Sequence, residues 1–282
     1  MILRNVIQLA PNFQFSQSSL QDYVECKRRF QLRYIERVAW PAVQAQPILE
    51  HEARMANGQA FHRLVQQQLL GIPENRLTPV DDDLRRWWQA YSETRPADIE
   101  GRRHIEITLA ATLAEQRLVA QYDLVVITPQ TAQIFDWKTS ARPAKPDATR
   151  RLFERMQTRV YRYLLVRAGA DLNGGQAIAP EQVSMTYWFA ETPEEPVHFP
   201  YNADQFAADE RVLTNLITEI QMQELNSPWE LTSQERMCAF CPYRSLCERG
   251  VEAGETQAED EIELSTLETL DLDLEQIAEI PF

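Results

Sequence analysis

Residues 118–138 read LVAQYDLVVITPQTAQIFDWK, and they predict two strands joined by a tight loop. Positions 118–127 and 133–139 are rich in β-branched and aromatic residues, which strands favour. The Thr-Pro-Gln-Thr segment at 128–131 has the length and composition of a hairpin loop. The stretch therefore predicts an antiparallel hairpin.

Two acids and a lysine are expected to meet on this hairpin. Side chains two positions apart share a face of a strand, so Asp136 and Lys138 point one way. Phe135 and Trp137 point the other way, and Asp123 lies on the neighbouring strand. Two carboxylates can bind Mg²⁺, and a lysine beside them can orient a water or offset the charge of a phosphate. The alternative interpretation is a cross-strand ion pair on an exposed face.

Three more polar positions lie on predicted helices. Gln157 and Tyr161 are four residues apart in a helix predicted over 149–168, so they share a face beside its apolar stripe. A polar side chain on that flank needs a partner, and a lysine or a substrate phosphate would serve. His62 lies in an apolar helical run predicted over 51–70, and its imidazole would suit Mn²⁺ better than Mg²⁺. The alternative for all three is an ordinary packed or surface side chain.

The remaining periodicity predicts a mixed α/β fold. Apolar residues recur at helical spacing or alternate at strand spacing in further segments. We predict helices from Ser16 to the residues before Pro41, over 81–91 and over 203–225, and strands over 105–109 and 182–189. This order places helices first, then a meander of strands, then a helix and a strand, and it predicts a mixed sheet flanked by helices.

The four cysteines have the spacing of a metal centre. Cys238, Cys241 and Cys247 form a C-x₂-C-x₅-C cluster, and Cys26 lies far upstream. Four thiolates are the number that a cubane iron–sulfur cluster or a Cys₄ zinc site needs, and the spacing does not separate the two. The alternative is four unrelated buried thiols. A shared centre would link the N-terminal helix to the C-terminal end, so its binding energy would partly be folding energy.

Composition and charge exclude several protein classes. The 282 residues are 44% hydrophobic and 25% charged, which is typical of globular proteins and excludes wholesale disorder, collagen and disulfide frameworks. The net charge is −14, and residues 251–282 hold 11 acids and no Lys or Arg. The rest of the chain is therefore near neutral, and a basic cleft can exist there. The absence of a membrane-span pattern and of a secretory leader predicts a cytoplasmic protein.

In their order along the chain, these residues resemble the RecB-like branch of the PD-(D/E)XK nuclease superfamily. They are similar in particular to its iron–sulfur members, the CRISPR adaptation exonucleases and AddB-type nuclease domains. The resemblance covers about residues 16–250. It rests on these positions: Ser18-Ser19-Leu20, Cys26, His62, Asp123, Asp136-Trp137-Lys138, Gln157, Tyr161, Cys238, Cys241 and Cys247. Ala120 departs from the family pattern, which often has glycine three residues before the first aspartate.

The resemblance implies a role for each position. The restriction-endonuclease-like fold would hold Mg²⁺ or Mn²⁺ on His62, Asp123 and Asp136, with help from the Trp137 carbonyl. Lys138 would be catalytic together with both aspartates. Gln157 and Tyr161 would lie near the DNA and the lysine. The four cysteines would bind a [4Fe–4S] cluster, with Zn²⁺ as the alternative.

The implied function is a metal-dependent deoxyribonuclease, an exonuclease on single-stranded DNA or DNA ends. The alternatives are a non-catalytic DNA-binding or scaffold subunit of a repair or CRISPR adaptation complex, and a zinc-clasped interaction protein. Arg155 and Arg159 are candidates to hold phosphates, although each can equally belong to a solvated helix face. The acidic tail is expected to be a solubilising segment or a docking peptide for a protein partner. We divide the chain into a helical part at 1–100, a nuclease core at 101–225, a cysteine segment at 226–250 and the tail at 251–282.

Overall fold

A computed structural model describes residues 9, 12–38, 46–94, 98–142, 146–224, 227–239 and 241–250. The acidic tail at 251–282 lies outside the described residues, so its expected docking or solubilising role stays a prediction. No helix among the described residues is long and apolar enough to cross a membrane.

The described elements come in runs of helices and runs of strands along the chain. The helices are α1 Gln17–Glu25, α2 Lys27–Phe30, α3 Gln46–Leu69, α4 Asp82–Thr94, α5 Pro146–Glu154, α6 Met156–Ala168 and α7 Ala203–Gln221. A π-helical turn, Gln31–Ile35, follows α2 directly, and short 3₁₀ turns lie at Glu74–Arg76, Ala170–Asn173, Pro180–Gln182 and Glu235–Cys238. The strands are β1 Gln14–Phe15, β2 Arg102–Leu113, β3 Gln116–Ile127, β4 Ala132–Lys138, β5 Val183–Phe189 and β6 Val197–Pro200.

These strands form one mixed sheet within the described part of the chain. Its order is β1-β3-β4-β5-β6, with β2 paired to β3. The β3–β4 and β5–β6 pairs are antiparallel, whereas β1–β3 and β4–β5 are parallel. A parallel β4–β5 pair needs a crossover, which α5 and α6 supply. The predicted α/β class with a mixed sheet flanked by helices is confirmed.

The chain divides into two compact units. One, here called the cysteine unit, comprises Met1–His51, Thr112–Leu118 and Arg211–Phe282. The other, here called the sheet unit, comprises Glu52–Ala111 and Val119–Glu210. The sequence-based division at residues 100, 225 and 250 stays a prediction.

An aromatic core lies on one face of β3 and β4 in the sheet unit. Phe135 and Trp137 are buried in it, as the alternation predicts, and they leave Asp136 and Lys138 for the opposite face. The amphipathic helices α3 and α4 supply much of the core, whose buried members are Phe61, Leu64, Val65, Leu77, Leu84, Trp87, Trp88, Tyr91, Leu124, Val126, Phe135, Trp137, Trp188 and Ala190. The close packing of this core fixes the backbone of β3 and β4, and it thereby fixes the positions of the polar residues of the hairpin.

In the cysteine unit, the first helix is interrupted at Cys26. The predicted start is confirmed, because Ser16 and Ser19 form a reciprocal capping box. The prediction of one helix up to the residues before Pro41 is wrong: α1 ends at Glu25 and α2 begins at Lys27. Cys26 between them has an extended backbone, with φ −159° and ψ 106°. Because of this break, Cys26 lies between two helices and not on the face of one continuous helix.

Two other predictions need correction. The helix predicted over 149–168 is two helices, because Arg155 has extended backbone angles of φ −61° and ψ 146°. The strands β1 and β6 were not predicted, since each has only a few residues and its place depends on a neighbouring strand. The hairpin loop is confirmed, and Thr128 N–H donates to the Thr131 carbonyl at 2.8 Å.

Candidate active site

The hairpin strands separate at the point where the acidic residues lie. The β3–β4 ladder runs from Ile127↔Ala132 to Leu124↔Phe135. Beyond it, the Trp137 N–H donates to the Asp123 carboxylate at 2.9 Å. A side chain thus satisfies a backbone donor that the ladder does not. This hydrogen bond holds the Asp123 side chain beside Trp137, which lies between Asp136 and Lys138.

Asp136 and Lys138 form a buried ion pair on the face predicted for them. Lys138 Nζ lies 2.8 Å from Asp136 Oδ2, and the two residues are only 8% and 3% exposed. Gln157 on α6 joins both of them. Its Nε2 donates to Asp136 Oδ1 at 2.7 Å, and its Oε1 accepts from Lys138 Nζ at 3.1 Å. The sequence expectation that Gln157 needs a partner such as the lysine is confirmed.

Two buried hydroxyls extend this network. Tyr187 of β5 lies opposite Asp136 in the parallel ladder, and its hydroxyl lies 3.3 Å from Gln157 Oε1, to which it can donate. The Tyr187 hydroxyl also lies 2.8 Å from Thr158 Oγ1, which donates to the Leu152 carbonyl. Lys138 Nζ is 5.4 Å from the centre of the Tyr187 ring. Sequence analysis missed both hydroxyls, because the register of β5 is set by the crossover helices.

His62 on α3 faces Asp123. Its Nδ1 lies 3.2 Å from Asp123 Oδ1. Burial lowers the pKa of His62, but the charge of Asp123 and the hydrogen bond to it outweigh burial and raise the pKa to about 9. Burial in turn raises the pKa of Asp123, but His62, the Trp137 N–H and Lys138 together outweigh burial, so the pKa lies below its ordinary value. The predicted grouping of His62 with Asp123 is therefore present as an ion pair.

The two aspartates differ in their tendency to ionise. Burial raises the pKa of Asp136, Lys138 lowers it, and the negative charge of Asp123 raises it again, with a net increase. Asp123 is shifted in the opposite direction. Two acids in one site whose pKa values are pushed apart are typical of functional sites.

Glu106 is a further acid of this region that sequence analysis did not select. Burial and the charge of Asp123 raise its pKa to about 7. Gln121 on the neighbouring strand β3 donates to Glu106 Oε2 at 2.8 Å. Glu106 has φ +51° in the middle of β2, an unusual angle for a residue other than glycine. In the sequence, the only indication of this acid is a glutamate at one polar position of the alternating strand predicted over 105–109.

The other predicted DNA contacts are engaged within the protein. Tyr161 is 5% exposed, and burial followed by the charges of Asp136 and Asp123 raises its pKa well above the ordinary value. Arg159 donates to Asp209 Oδ1 at 2.5 Å and to the Glu154 carbonyl. Arg155 is half-buried at the start of α6. A role of these residues, or of Gln157, in holding DNA stays a prediction.

The four cysteines line one pocket of the cysteine unit. All four are free thiols, and Arg29, Arg244 and Arg249 line the same pocket. Burial raises the pKa of Cys241 to about 11 and, more weakly, the pKa values of Cys238 and Cys247. The upstream Cys26 therefore lies in one pocket with the C-terminal cysteines, whereas a metal centre that the four of them share stays a prediction.

Neither site contains a ready-made ligand set for a single ion. Among the described residues, no group of three or more His, Cys, Asp or Glu is arranged so that it could hold a metal. In the sheet unit, the partners of the acids account for this: Asp123 is bound to His62, and Asp136 to Lys138 and Gln157. The donor types suit a divalent cation, but binding would have to displace these contacts.

One solved structure shares the fold at low sequence identity, and a second one aligns with a lower score. A candidate exonuclease from Eubacterium rectale has a TM-score of 0.51 and 9% identity, with 91% of this chain and 98% of that chain covered. The crystal structure of SSO0001 has a TM-score of 0.39 and 11% identity, with 86% and 88% covered. No curated protein matches in sequence.

A family model matches most of the sequence. The match spans residues 14–248, which include the polar residues of the sheet-unit site and all four cysteines, and the model is that of the PD-(D/E)XK nuclease superfamily. Asp136, Trp137 and Lys138, on the strand that follows Asp123, have the (D/E)-x-K pattern from which the superfamily takes its name. The chain belongs to the PD-(D/E)XK nuclease superfamily.

Proposed function

We propose that the protein is a metal-dependent deoxyribonuclease of the RecB-like branch, an exonuclease on single-stranded DNA or DNA ends. Membership of the nuclease superfamily supports phosphodiester hydrolysis and a nucleic-acid substrate. The similar fold of the Eubacterium rectale protein is consistent with it. Metal dependence, strand preference and the branch are parts of the proposal.

The observation that carries the proposal is the buried Lys138–Asp136–Gln157 network. Burying a lysine and an aspartate costs several kcal/mol per ion, and apolar side chains of similar size usually stabilise a fold at least as well. The network lies beside a second acid, Asp123, on the face of β4 opposite the aromatic core. The core is packed by apolar side chains and does not depend on the network for its stability. Such an arrangement is better explained by chemistry than by stability.

The donor set of the sheet unit fits Mg²⁺ or Mn²⁺. The Asp123 and Asp136 carboxylates would hold the ion, with the Trp137 carbonyl and His62 as further ligands. A divalent ion bound there supplies Lewis acidity and lowers the pKa of a coordinated water. The His62 imidazolium and the Lys138 ammonium now offset the two carboxylate charges. Loss of the His62 proton would accompany binding, since a protonated imidazole is not a ligand.

Lys138 would act on the substrate side of the network. Its ammonium can orient the attacking water or offset charge on the scissile phosphate. Gln157 fixes both partners, because its carbonyl end faces Lys138 and its amide end faces Asp136. These contacts hold the acid and the lysine in one geometry before substrate arrives, which is the pre-organisation that positioning catalysis requires.

Cleavage of linear and circular single-stranded DNA tests this function. The wild type should degrade a linear strand in Mg²⁺ or Mn²⁺, spare a circular strand of the same sequence, and be inactive in EDTA. Cutting of the circle would show an endonuclease instead. Binding of both strands without any cleavage would show the non-catalytic DNA-binding alternative and refute the proposed activity.

We also propose that the cysteine pocket holds a [4Fe–4S] cluster, with Zn²⁺ as the alternative. Four thiolates carry negative charge, and the three arginines that line the pocket would offset it. The thiols must lose their protons on binding, so their raised pKa values make assembly dependent on pH. Anaerobically purified protein should be brown and contain iron, and Cys247→Ser should lose both. Zinc in place of iron would favour the zinc site, and absence of both metals would refute the pocket as a metal centre.

A further inference from the structure

The hydroxyls of Thr158 and Tyr187, beside Gln157, make more close polar contacts than they have hydrogens to donate. Thr158 Oγ1 lies 2.5 Å from the Leu152 carbonyl and 2.8 Å from the Tyr187 hydroxyl, which in turn lies 3.3 Å from Gln157 Oε1. A hydroxyl donates only one hydrogen bond. Two hydrogens therefore serve three contacts, and only two of the contacts can be hydrogen bonds at any one time.

The distances indicate how the hydrogens are shared while Lys138 is in place. Gln157 Oε1 already accepts from Lys138 Nζ at 3.1 Å, which is closer than the 3.3 Å to Tyr187. Thr158 at 2.8 Å is the nearer acceptor for the Tyr187 hydrogen. In this state Tyr187 holds a hydrogen that can rotate towards Gln157 without any movement of the ring.

The need for that hydrogen arises when Lys138 engages a substrate. Gln157 is buried, and its Nε2 is bound to Asp136 Oδ1 at 2.7 Å. A lysine that turns towards a phosphate or a water would deprive the buried Gln157 carbonyl of its charged donor, which is unfavourable unless a hydroxyl hydrogen replaces it. Without such a replacement, the amide could reorient and release Asp136.

We propose that Tyr187 is a positioning residue whose hydroxyl takes over the Gln157 carbonyl when Lys138 turns to the substrate. Gln157 then keeps its orientation, and Asp136 stays in place through the reaction. The inference rests on the proposed nuclease function. Tyr187 itself does not contact the substrate, since it is fully buried on β5 behind Gln157.

The test compares Tyr187→Phe with the matched control Tyr163→Phe. Both rings are fully buried in the sheet unit, but the Tyr163 hydroxyl donates to Glu210 at 3.2 Å, away from Lys138 and Gln157. Tyr187→Phe keeps the ring over Lys138 and removes only the hydroxyl. We expect kcat on linear single-stranded DNA to fall about tenfold, or about 1.4 kcal/mol, with KM within about twofold of wild type. The control should keep both constants.

Three results would overturn the inference: an unchanged kcat in Tyr187→Phe, an equal loss in the control, or a rise of KM that accounts for the loss. Wild-type inactivity would refute the nuclease function itself, which separates the two failures.

Discussion

Replacing Lys138 by methionine should cost the metal-free fold far more than an ordinary lysine substitution. The change leaves Asp136 buried with Gln157 as its remaining hydrogen-bond partner among the contacts above. Breaking a buried ion pair on one side costs about 3–5 kcal/mol, and Asp136 can limit this by taking up a proton. We therefore expect a loss of about 3 kcal/mol in the free energy of unfolding at pH 8.

The chain offers a matched control at a surface. Lys27 Nζ lies 2.8 Å from Glu219 Oε1, the same distance as in the buried pair, but the two side chains are 34% and 46% exposed. Exposed pairs contribute about 0–1 kcal/mol, so Lys27→Met should change stability by less than about 1 kcal/mol. Urea unfolding in EDTA, followed by tryptophan fluorescence, measures both variants.

The effect of pH gives a second check on the same variant. The pKa of Asp136 is already raised in the folded protein, and loss of Lys138 removes the main influence that lowers it. A carboxyl with a raised folded pKa stabilises the fold as pH falls, because the folded state binds its proton more tightly than the unfolded state. The penalty of Lys138→Met should therefore shrink between pH 8 and pH 5. Equal losses in the two lysine variants, or a penalty that does not depend on pH, would refute the reasoning.

Three further predictions concern other parts of the chain. The pKa of His62 is raised from 6.5 to about 9, so its stabilising contribution is complete below pH 6.5 and lost towards pH 9; the urea stability of metal-free wild type should fall over this window more than that of His62→Gln, and parallel curves would contradict this. In Gly101→Ala, the new Cβ would lie 2.7 Å from Val126 Cγ1 at φ +156°, so thermal unfolding should show a loss of about 2–3 kcal/mol, whereas Gly175→Ala at φ +85° has open space and should lose about 1 kcal/mol. Asp209→Asn removes the carboxylate partner of the fully buried Arg162 and should cost about 3 kcal/mol by urea unfolding; a cost below about 1 kcal/mol would show that the Phe153 and Tyr201 rings, which the guanidinium also contacts, suffice.

Much of the hairpin could be predicted because its information is local. Alternation alone placed Phe135 and Trp137 in the core and Asp136 with Lys138 on the other face. The partnership of Gln157 with the lysine followed from a polar residue bordering an apolar stripe. These predictions needed only the period of a strand or of a helix.

The residues that were missed depend on contacts distant in sequence. Tyr187 reaches Gln157 because β5 pairs in parallel with β4, and no local pattern fixes the register of a strand after a two-helix crossover. The break at Cys26 was missed for a similar reason. The residues on either side of Cys26 have helical periodicity. That local pattern does not indicate that Cys26 shares a pocket with cysteines that are distant in sequence. Tertiary context overrides local propensity at both positions.

Asp136 and its neighbours are the proposed centre of DNA hydrolysis. The most direct measurement is the rate at which Asp136→Asn cleaves linear single-stranded DNA in Mn²⁺, relative to wild type, with thermal unfolding to confirm that the variant is folded. The asparagine keeps the size of the side chain and an oxygen that can accept from Lys138, but it removes the charge that would hold the metal. We predict that the rate falls about a thousandfold or more, equivalent to about 4 kcal/mol or more in the barrier. A folded variant that retains a tenth or more of the wild-type rate would contradict the assignment of this site.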